Sequence, residues 1–509
     1  MMNATRYASH SETLERPPAL RYSRAHRVFW VLLFVAFPLV IIPKELLGLV
    51  PGGVLTFPED GFAEVLLPKL AVFAALWGLG ARQSYLLWRR HGFSVMTRGA
   101  PLRRPLTWLL LFLTASFVVS LLNPAPLGLS LPLVPSRYES ILFRLLENAW
   151  YALTFLAATL TSSRVLRPSR VLHLMALGAC LAGGWALFEA YGVDPLRLVD
   201  PDARVGINVQ ATMGHQSYVA AYLAVVLVFW VSWRLLSGRV RLLDGVILAL
   251  LTSALVASGG RAGLLAAVLM LSVLAAVWVW QRRQRRALLV LGGVMVVAGL
   301  VPLLTSPHAQ GRLNRLGTAV QGQDPATSHR LIFWQVGVKA IRERPLIGYG
   351  IDAFGNAAWF FATPEQADEM LTEFLPRQTA ARALRLGNLA LYRLPASGGL
   401  ELQPVKPYRV HNYLLDIAFA SGVPVLLLFL AFLASTAWTL LCARTPLSLA
   451  TLFALVTYLI YGMAWFATPN VDTLVWGLVG LGLGSTWQPN TAGVAETSTA
   501  EPGGGTPSS

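Results

Sequence analysis

Three basic or titratable side chains stand where an apolar chain has little use for them. His411, followed by Asn412, opens the run "VHNYLLDIAFASGVPVLLLFLAFL". Arg261 interrupts "ASGGRAGLLAAV" where two apolar stretches meet, and Arg330 heads "RLIFWQVGVKAIRERP". A fourth stretch, "DPDARVGINVQATMGHQSY", adds Arg204, then His215 and Gln216 just before another apolar run. An imidazole titrates near neutrality and can take a proton from a hydroxyl. Guanidinium pairs suit phosphate or pyrophosphate through charge-assisted, bidentate hydrogen bonds. Asn412 would orient the ring or a substrate, while Asp416, five residues beyond His411, reads as local polarity rather than a dyad partner. Each has a plainer reading. His411 as a core histidine bonded to a carbonyl, Arg261 as an arginine snorkelling to an interface, and Arg330 as a first-turn residue of a surface helix are all ordinary. A cation at a helix N-terminus opposes the dipole, however, which points to an anion near Arg330. Gly259, Gly260 and Gly263 leave room beside Arg261 for a ligand or another backbone.

These residues can cooperate only if they share one side of a membrane. The chain has 509 residues, 55% hydrophobic and 13% charged, with mean hydropathy +0.56. That composition, in long apolar runs rather than short alternating strands, predicts an all-α polytopic membrane protein and not a β-barrel. Twelve transmembrane helices are expected, at 28–48, 63–88, 105–123, 140–163, 169–192, 216–236, 242–257, 262–280, 287–305, 420–442, 446–467 and 470–488. The pair 242–257 and 262–280 is short and reads as broken or tilted around "SGGRAG". Every second connection is basic: the N-terminal segment, then "RRHGFSVMTRGAPLRR", "SSRVLRPSR", "WRLLSGRVR" and "QRRQRR". Arginine-rich loops stay in the cytoplasm, so topology accounts for most of the net charge of +16. The alternate connections are then outside, and with them Arg204, His215, Arg261, Arg330 and His411.

Five segments follow. Residues 1–26 are a cytoplasmic basic N-terminus without an apolar signal core, so the first span should act as an uncleaved signal. Residues 27–305 hold spans one to nine, 306–410 form a large outer loop, and 411–488 hold the last three spans. Residues 489–509, rich in Gly, Thr, Ser and Pro, are expected to be a disordered cytoplasmic tail. The large loop is too long for a plain connector. Within it, Leu331, Trp334, Val338 and Ile341 fall at helical spacing, with Lys339, Arg342 and Arg344 towards the end. That pattern predicts an amphipathic helix stopped by Pro345 and followed by a tight "GYG" turn. Cys180 and Cys442 read as small core residues. "GLGLG" near 480 reads as helix packing. Nucleic acid is excluded as a partner, because the basic loops are thin and membrane-tethered and no nucleotide-binding glycine motif precedes a helix.

Two other functions compete. Asp200 and Asp202 in "VDPDAR" could hold a divalent cation, although Asp-Pro-Asp is also a common turn. A transporter with an arginine-lined path would fit twelve spans, but should present polar groups through its depth and on both faces.

"SGGRAG", "SHRLIFWQVGVKAIRERPLIGYGIDAFG" and "HNYLLDIAFASGVPVLLL", spread over roughly 200–440, resemble the O-antigen ligase and O-antigen polymerase superfamily. The resemblance implies a metal-independent, inverting glycosyltransferase of the bacterial inner membrane with no cofactor and its site facing the periplasm. The donor is then a glycan on undecaprenyl diphosphate, held among membrane lipids. The acceptor is a hydroxyl of a lipid A-core sugar, or of a glycan or protein in the polymerase and protein O-oligosaccharyltransferase members. By the same resemblance Arg261 and Arg330 hold the diphosphate and His411 is the general base. Arg204, His215, Asn412, Trp334, Gly348 and Gly350 are substrate-binding candidates. The sequence departs from the family pattern in three places. Two glycines separate Ser258 from Arg261, "RALRLGNLALYRLPASGGLELQPVKPYR" looks inserted, and Ala420 and Ser421 stand where an acidic residue is expected before Gly422.

Overall fold

The computed structural model describes residues 24–41, 62–91, 100–123, 137–162, 168–193, 209–306 apart from 239 and 281–284, 325–374 apart from 352, three strands within 384–404, and 409–486. Arg204, Asp200, Asp202 and the C-terminal tail lie outside them. Each of the twelve apolar stretches meets a helix. They are α1 (Arg24–Val31, continued by a π-helical Leu32–Ala36 and by Phe37–Leu39), α2 (Phe62–His91), α3 (Ala100–Leu122), α4 (Arg137–Ser162), α5 (Pro168–Ala190), α6 (Gln216–Ser237), α7 (Leu242–Ser258), α8 (Arg261–Trp280) and α9 (Arg285–Thr305). After the loop come α14 (Val423–Ala443), α15 (Pro446–Gly462) and α16 (Pro469–Ser485), the numbers between belonging to the loop helices described below. Among the described residues, seven helices are long and apolar enough to cross a membrane, and α7 and α15 are shorter apolar helices. The protein is a polytopic α-helical membrane protein.

Two helices form the centre. In α6 every residue from Tyr218 to Leu235 is buried, and in α16 every residue from Asn470 to Gly484. Both are enclosed on every face, and apolar along most of their length. Glycines set the contact of α16 with α4. A side chain at Gly480 or Gly484 would run into the carbonyl oxygens of Thr154 and Ala158, at 2.4 and 2.5 Å. This small-xxx-small spacing is the helix packing expected of "GLGLG". By contrast, α9 turns Leu289, Val290, Val296 and Val297 outwards, each more than half exposed, as a lipid-facing helix does.

The large loop contributes α10 (Pro325–Glu343), α11 (Phe354–Phe361) and α12 (Pro364–Phe374). The amphipathic helix is present, but its buried stripe is His329, Ile332, Phe333, Val336, Gly337 and Ala340. The stripe read from the sequence lies beside it, and Leu331 is 49% exposed. Two apolar stripes are available on this helix, and spacing cannot choose between them. What α10 docks against does. The loop also holds a small antiparallel sheet that composition did not foreshadow. Its strands are β1 (Leu384–Leu386), β2 (Leu389–Arg393) and β3 (Leu400–Pro404), in the order β1-β2-β3. They fall within the segment read as an insertion.

The expectation that His411 and Asn412 open a span directly is also corrected. They open a separate short helix, α13 (Tyr413–Ser421), which Gly422 divides from α14. Gly422 adopts φ 86° and ψ 164°, a region essentially restricted to glycine. A side chain there would stand 2.2 Å from the Leu346 carbonyl oxygen. Opposite it, Gly348 at φ 62° lies against the Phe419 carbonyl, where a side chain would meet the oxygen at 2.3 Å. Three backbone bonds join the two strips. Tyr349 and Gly350 donate to the carbonyls of Phe419 and Ala420 at 2.9 Å, and Val423 donates to Pro345 at 2.7 Å. The "GYG" turn is therefore a clasp between the end of α10 and the end of α13.

Candidate active site

His411 has φ 57°, one of three non-glycine residues in the left-handed region among those described. Neighbours on every side hold it there. Arg409 reaches over to Asp416, Nη1 to Oδ2 at 2.8 Å, and the Val410 amide donates to the other carboxylate oxygen at 3.4 Å. Val410 is fully buried against Gly337, which leaves it room by lacking a side chain. Trp334 donates its indole N–H to the His411 carbonyl at 3.0 Å. Asn412 caps α13, its Oδ1 accepting from the Leu415 amide at 3.1 Å and its Nδ2 donating to the Met463 carbonyl at 3.2 Å.

The ring makes one hydrogen bond of consequence. Nδ1 lies 2.9 Å from the Arg409 carbonyl oxygen. A carbonyl only accepts, so Nδ1 carries the proton and Nε2 keeps its lone pair. That is the tautomer of a base. Phe333, Trp465 and Phe466 surround the ring at 5.3, 5.2 and 5.1 Å between centroids. The crowding by these groups pushes the imidazole pKa down from 6.5 to about 4, against the carbonyl bond, with Arg330 and His215 adding to the fall. His411 is nevertheless half-buried rather than sealed.

Trp465 is the centre of the cluster. His215 stacks on it at 5.3 Å and 26°, Tyr218 meets it edge-on at 6.2 Å, and the Arg330 guanidinium lies over its ring at 5.5 Å. His215 shows the opposite tautomer to His411. Its Nδ1 accepts from the Ser217 amide at 3.1 Å, which leaves Nε2 as a donor. The segment before it is fastened from three helices: Ala211 donates to Glu189, Thr212 to the Pro38 carbonyl, and Asn470 to the Met213 carbonyl, at 2.7, 2.6 and 2.8 Å.

Arg330 is the sixth residue of α10, not its first, because the helix begins at Pro325. The dipole argument for a nearby anion therefore lapses, since that effect fades within the first turn. Its place over Trp465 and beside His411 replaces it. Arg261 is the first residue of α8. Gly259 turns at φ 66°, and Gly260 and Gly263 bring α8 onto the backbone of α6 at Gln216 and Ala220, where added side chains would sit 2.3 to 2.7 Å from Ala220. The glycines of "SGGRAG" thus admit another backbone, and they set Arg261 beside the His215 end of α6. The helix starts at Gln216 and Tyr413 come just after His215 and His411, and the start of α8 lies against the first turn of α6; such ends favour negative charge.

Among the named candidates the structure brings together His411, Arg330, His215 and Trp334, and sets Arg261 alongside. Asn412, Trp334, Gly348 and Gly350 are engaged in holding the His411 segment and its clasp, so they shape the site from behind. Trp465, Phe466, Phe333 and Tyr218 are central yet were not singled out, because an aromatic residue near a span end is also what a membrane interface demands. No group of three or more His, Cys, Asp or Glu suited to a metal occurs among the described residues.

Residues 246–375 match the family described as O-antigen ligase. The matched stretch includes Arg261, Arg330, Trp334 and the "GYG" clasp, and stops before His411. The likeness covers about a quarter of this multi-pass membrane protein. The likeness supports a glycosyltransferase-type enzyme of the ligase or polymerase kind. No curated protein matches the chain.

Proposed function

We propose that this protein is an O-antigen ligase-like glycosyltransferase of the bacterial inner membrane. It moves a glycan from undecaprenyl diphosphate to an acceptor hydroxyl at the periplasmic face. The observation that carries the reading is the pinned His411 ring: Nδ1–H on the Arg409 carbonyl, Nε2 with its lone pair, Arg330 alongside. Nε2 takes the proton of the acceptor hydroxyl as its oxygen attacks the anomeric carbon. The bond from that carbon to the diphosphate breaks, and Arg330 and Arg261, aided by the helix starts, stabilise the charge that leaves. Attack opposite the leaving group inverts the centre. His215, as an Nε2 donor, binds a sugar or phosphate oxygen. The chemistry uses no metal.

The acceptor assigned is a lipid A-core sugar. The test is complementation of a host lacking its own ligase but making matching lipid-linked glycan, with surface glycolipids resolved on a gel. Wild type should restore capped lipopolysaccharide, and equally expressed His411→Ala should leave the glycan on its carrier. Chains lengthened on the carrier would make the protein a polymerase, and a glycosylated protein product an oligosaccharyltransferase. Normal capping by His411→Ala would remove the base assignment.

A further inference from the structure

Beside the base and the arginines lies a group that the mechanism has not used. Tyr461, on the last turn of α15, is 2% exposed, and its hydroxyl is buried without a hydrogen-bond partner. The neighbouring buried tyrosines are satisfied: Tyr458 donates to Asp472 at 2.7 Å, and Tyr413 to the Tyr151 hydroxyl at 2.8 Å. Four residues further on, the indole N–H of Trp465 is also buried and unpartnered. Other buried groups in the bundle lack partners too, Tyr222 among them. What distinguishes this pair is its place. Trp465 carries Arg330 over its ring, and Arg330 lies within electrostatic range of both Tyr461 and His411.

A buried polar group without a partner is expensive, and native proteins keep few of them. An indole N–H and a guanidinium can only donate, and a phenol donates readily to an anion. Beside Arg330, the Trp465 N–H and the Tyr461 hydroxyl are therefore buried donors that want acceptors. Of the substrate's parts, the diphosphate offers the most acceptor oxygens and the charge that Arg330 complements. We propose that the Tyr461 hydroxyl donates a hydrogen bond to a diphosphate oxygen of the lipid-linked donor, beside Arg330. This rests on the glycosyltransferase reading above. Tyr461 is then a donor-binding residue, and it gives no proton away.

Tyr461→Phe removes only the hydroxyl, which bonds to nothing in the structure, so folding should not suffer. The test measures binding of undecaprenyl diphosphate and of undecaprenol, which lacks the diphosphate, to full-length wild type and Tyr461→Phe in nanodiscs, with melting temperatures. Wild type should prefer the diphosphate. Tyr461→Phe should bind the diphosphate roughly tenfold or more weakly, as expected for a hydrogen bond to a charged group. Its undecaprenol affinity should be unchanged and its melting temperature no lower. Equal diphosphate affinity in the two proteins overturns the inference and leaves the glycosyltransferase reading standing. So does an equal loss for both ligands with a lowered melting temperature, which would make the hydroxyl structural. A wild type that binds undecaprenol as tightly as its diphosphate overturns the diphosphate reading itself, and the role of Tyr461 with it.

Discussion

His411 owes its chemical form to a bond with its own neighbour. The Arg409 carbonyl holds Nδ1–H, and Trp334 and Asp416 hold the backbone that presents the ring. Aromatic crowding lowers its pKa to about 4. The ring is therefore neutral at neutral pH and protonates only as pH falls through the lowered value. A base works in its neutral form, so the acid limb of kcat/KM should lie below the ordinary histidine value of about 6.5. The limb of kcat should lie higher, because a bound diphosphate favours the imidazolium. A kcat/KM limb at or above 6.5 would contradict the ring's environment as described. Trp334→Phe keeps the aromatic ring and deletes one hydrogen bond. It should lower kcat about two- to tenfold with little change in donor KM, since a neutral hydrogen bond contributes about 0.5–1.5 kcal/mol. At this scale His411 and Arg330 were legible because a charge beside an apolar run needs a reason. Trp465 was not, because a membrane interface supplies a reason of its own. Asn412 was legible as special, but its type fits a helix cap as well as a ligand contact, and only the bonds to Leu415 and Met463 decide between them.

Two helix ends, closed on each other, carry the site. Gly348 and Gly422 sit where a side chain would strike the opposing backbone, and Gly422 also has a conformation that other residues enter at a cost of order 1–3 kcal/mol. Gly422→Ala should lower the melting temperature in detergent and cost activity through a displaced His411. An unchanged melting temperature would show that the clasp is looser than its geometry. Ser421, where the resemblance leads one to expect an acidic residue before Gly422, has its own partners. Ser421 accepts from the Arg144 guanidinium at 2.8 Å, and Glu147, one turn along α4, pairs with the same arginine. The arginine that Ser421 meets, and its carboxylate, lie on α4, more than 270 positions away, which a search along the chain cannot see. The stripe of α10 teaches the same lesson. Phe333 and Gly337 are buried because His411 and Val410 lie on them, a contact between residues more than seventy positions apart.

At the scale of the whole molecule, α6 shows what a single helix separates. Its first turn is at His215. Its last holds Arg234, stacked on Trp233 and paired with Asp244, about 30 Å away at the 1.5 Å rise of a helix. The polar cluster and the basic end of α6 therefore lie at opposite ends of one central helix. The apolar runs made the helical segments legible: a helix lies at each of the twelve stretches, and seven among the described residues are long and apolar enough to cross a membrane. The sheet of the loop was hidden because three short strands carry no signal comparable to an apolar span. With the site end placed outside, alkaline phosphatase fused after residue 310 should be active, and a fluorescent protein fused at the C-terminus should fluoresce. The reverse pattern would put the cluster in the cytoplasm, where the proposed reaction does not occur.

The account turns on His411 as the base in transfer from a lipid diphosphate. The most direct measurement is a single-turnover assay with purified wild type and His411→Ala, a defined lipid-linked glycan and its acceptor. The readout is the undecaprenyl diphosphate released, alongside donor binding. The account predicts that His411→Ala binds donor as wild type does, through Arg261, Arg330 and Tyr461, and transfers about 10²–10⁴-fold more slowly. Transfer at the wild-type rate by a folded His411→Ala protein would contradict it.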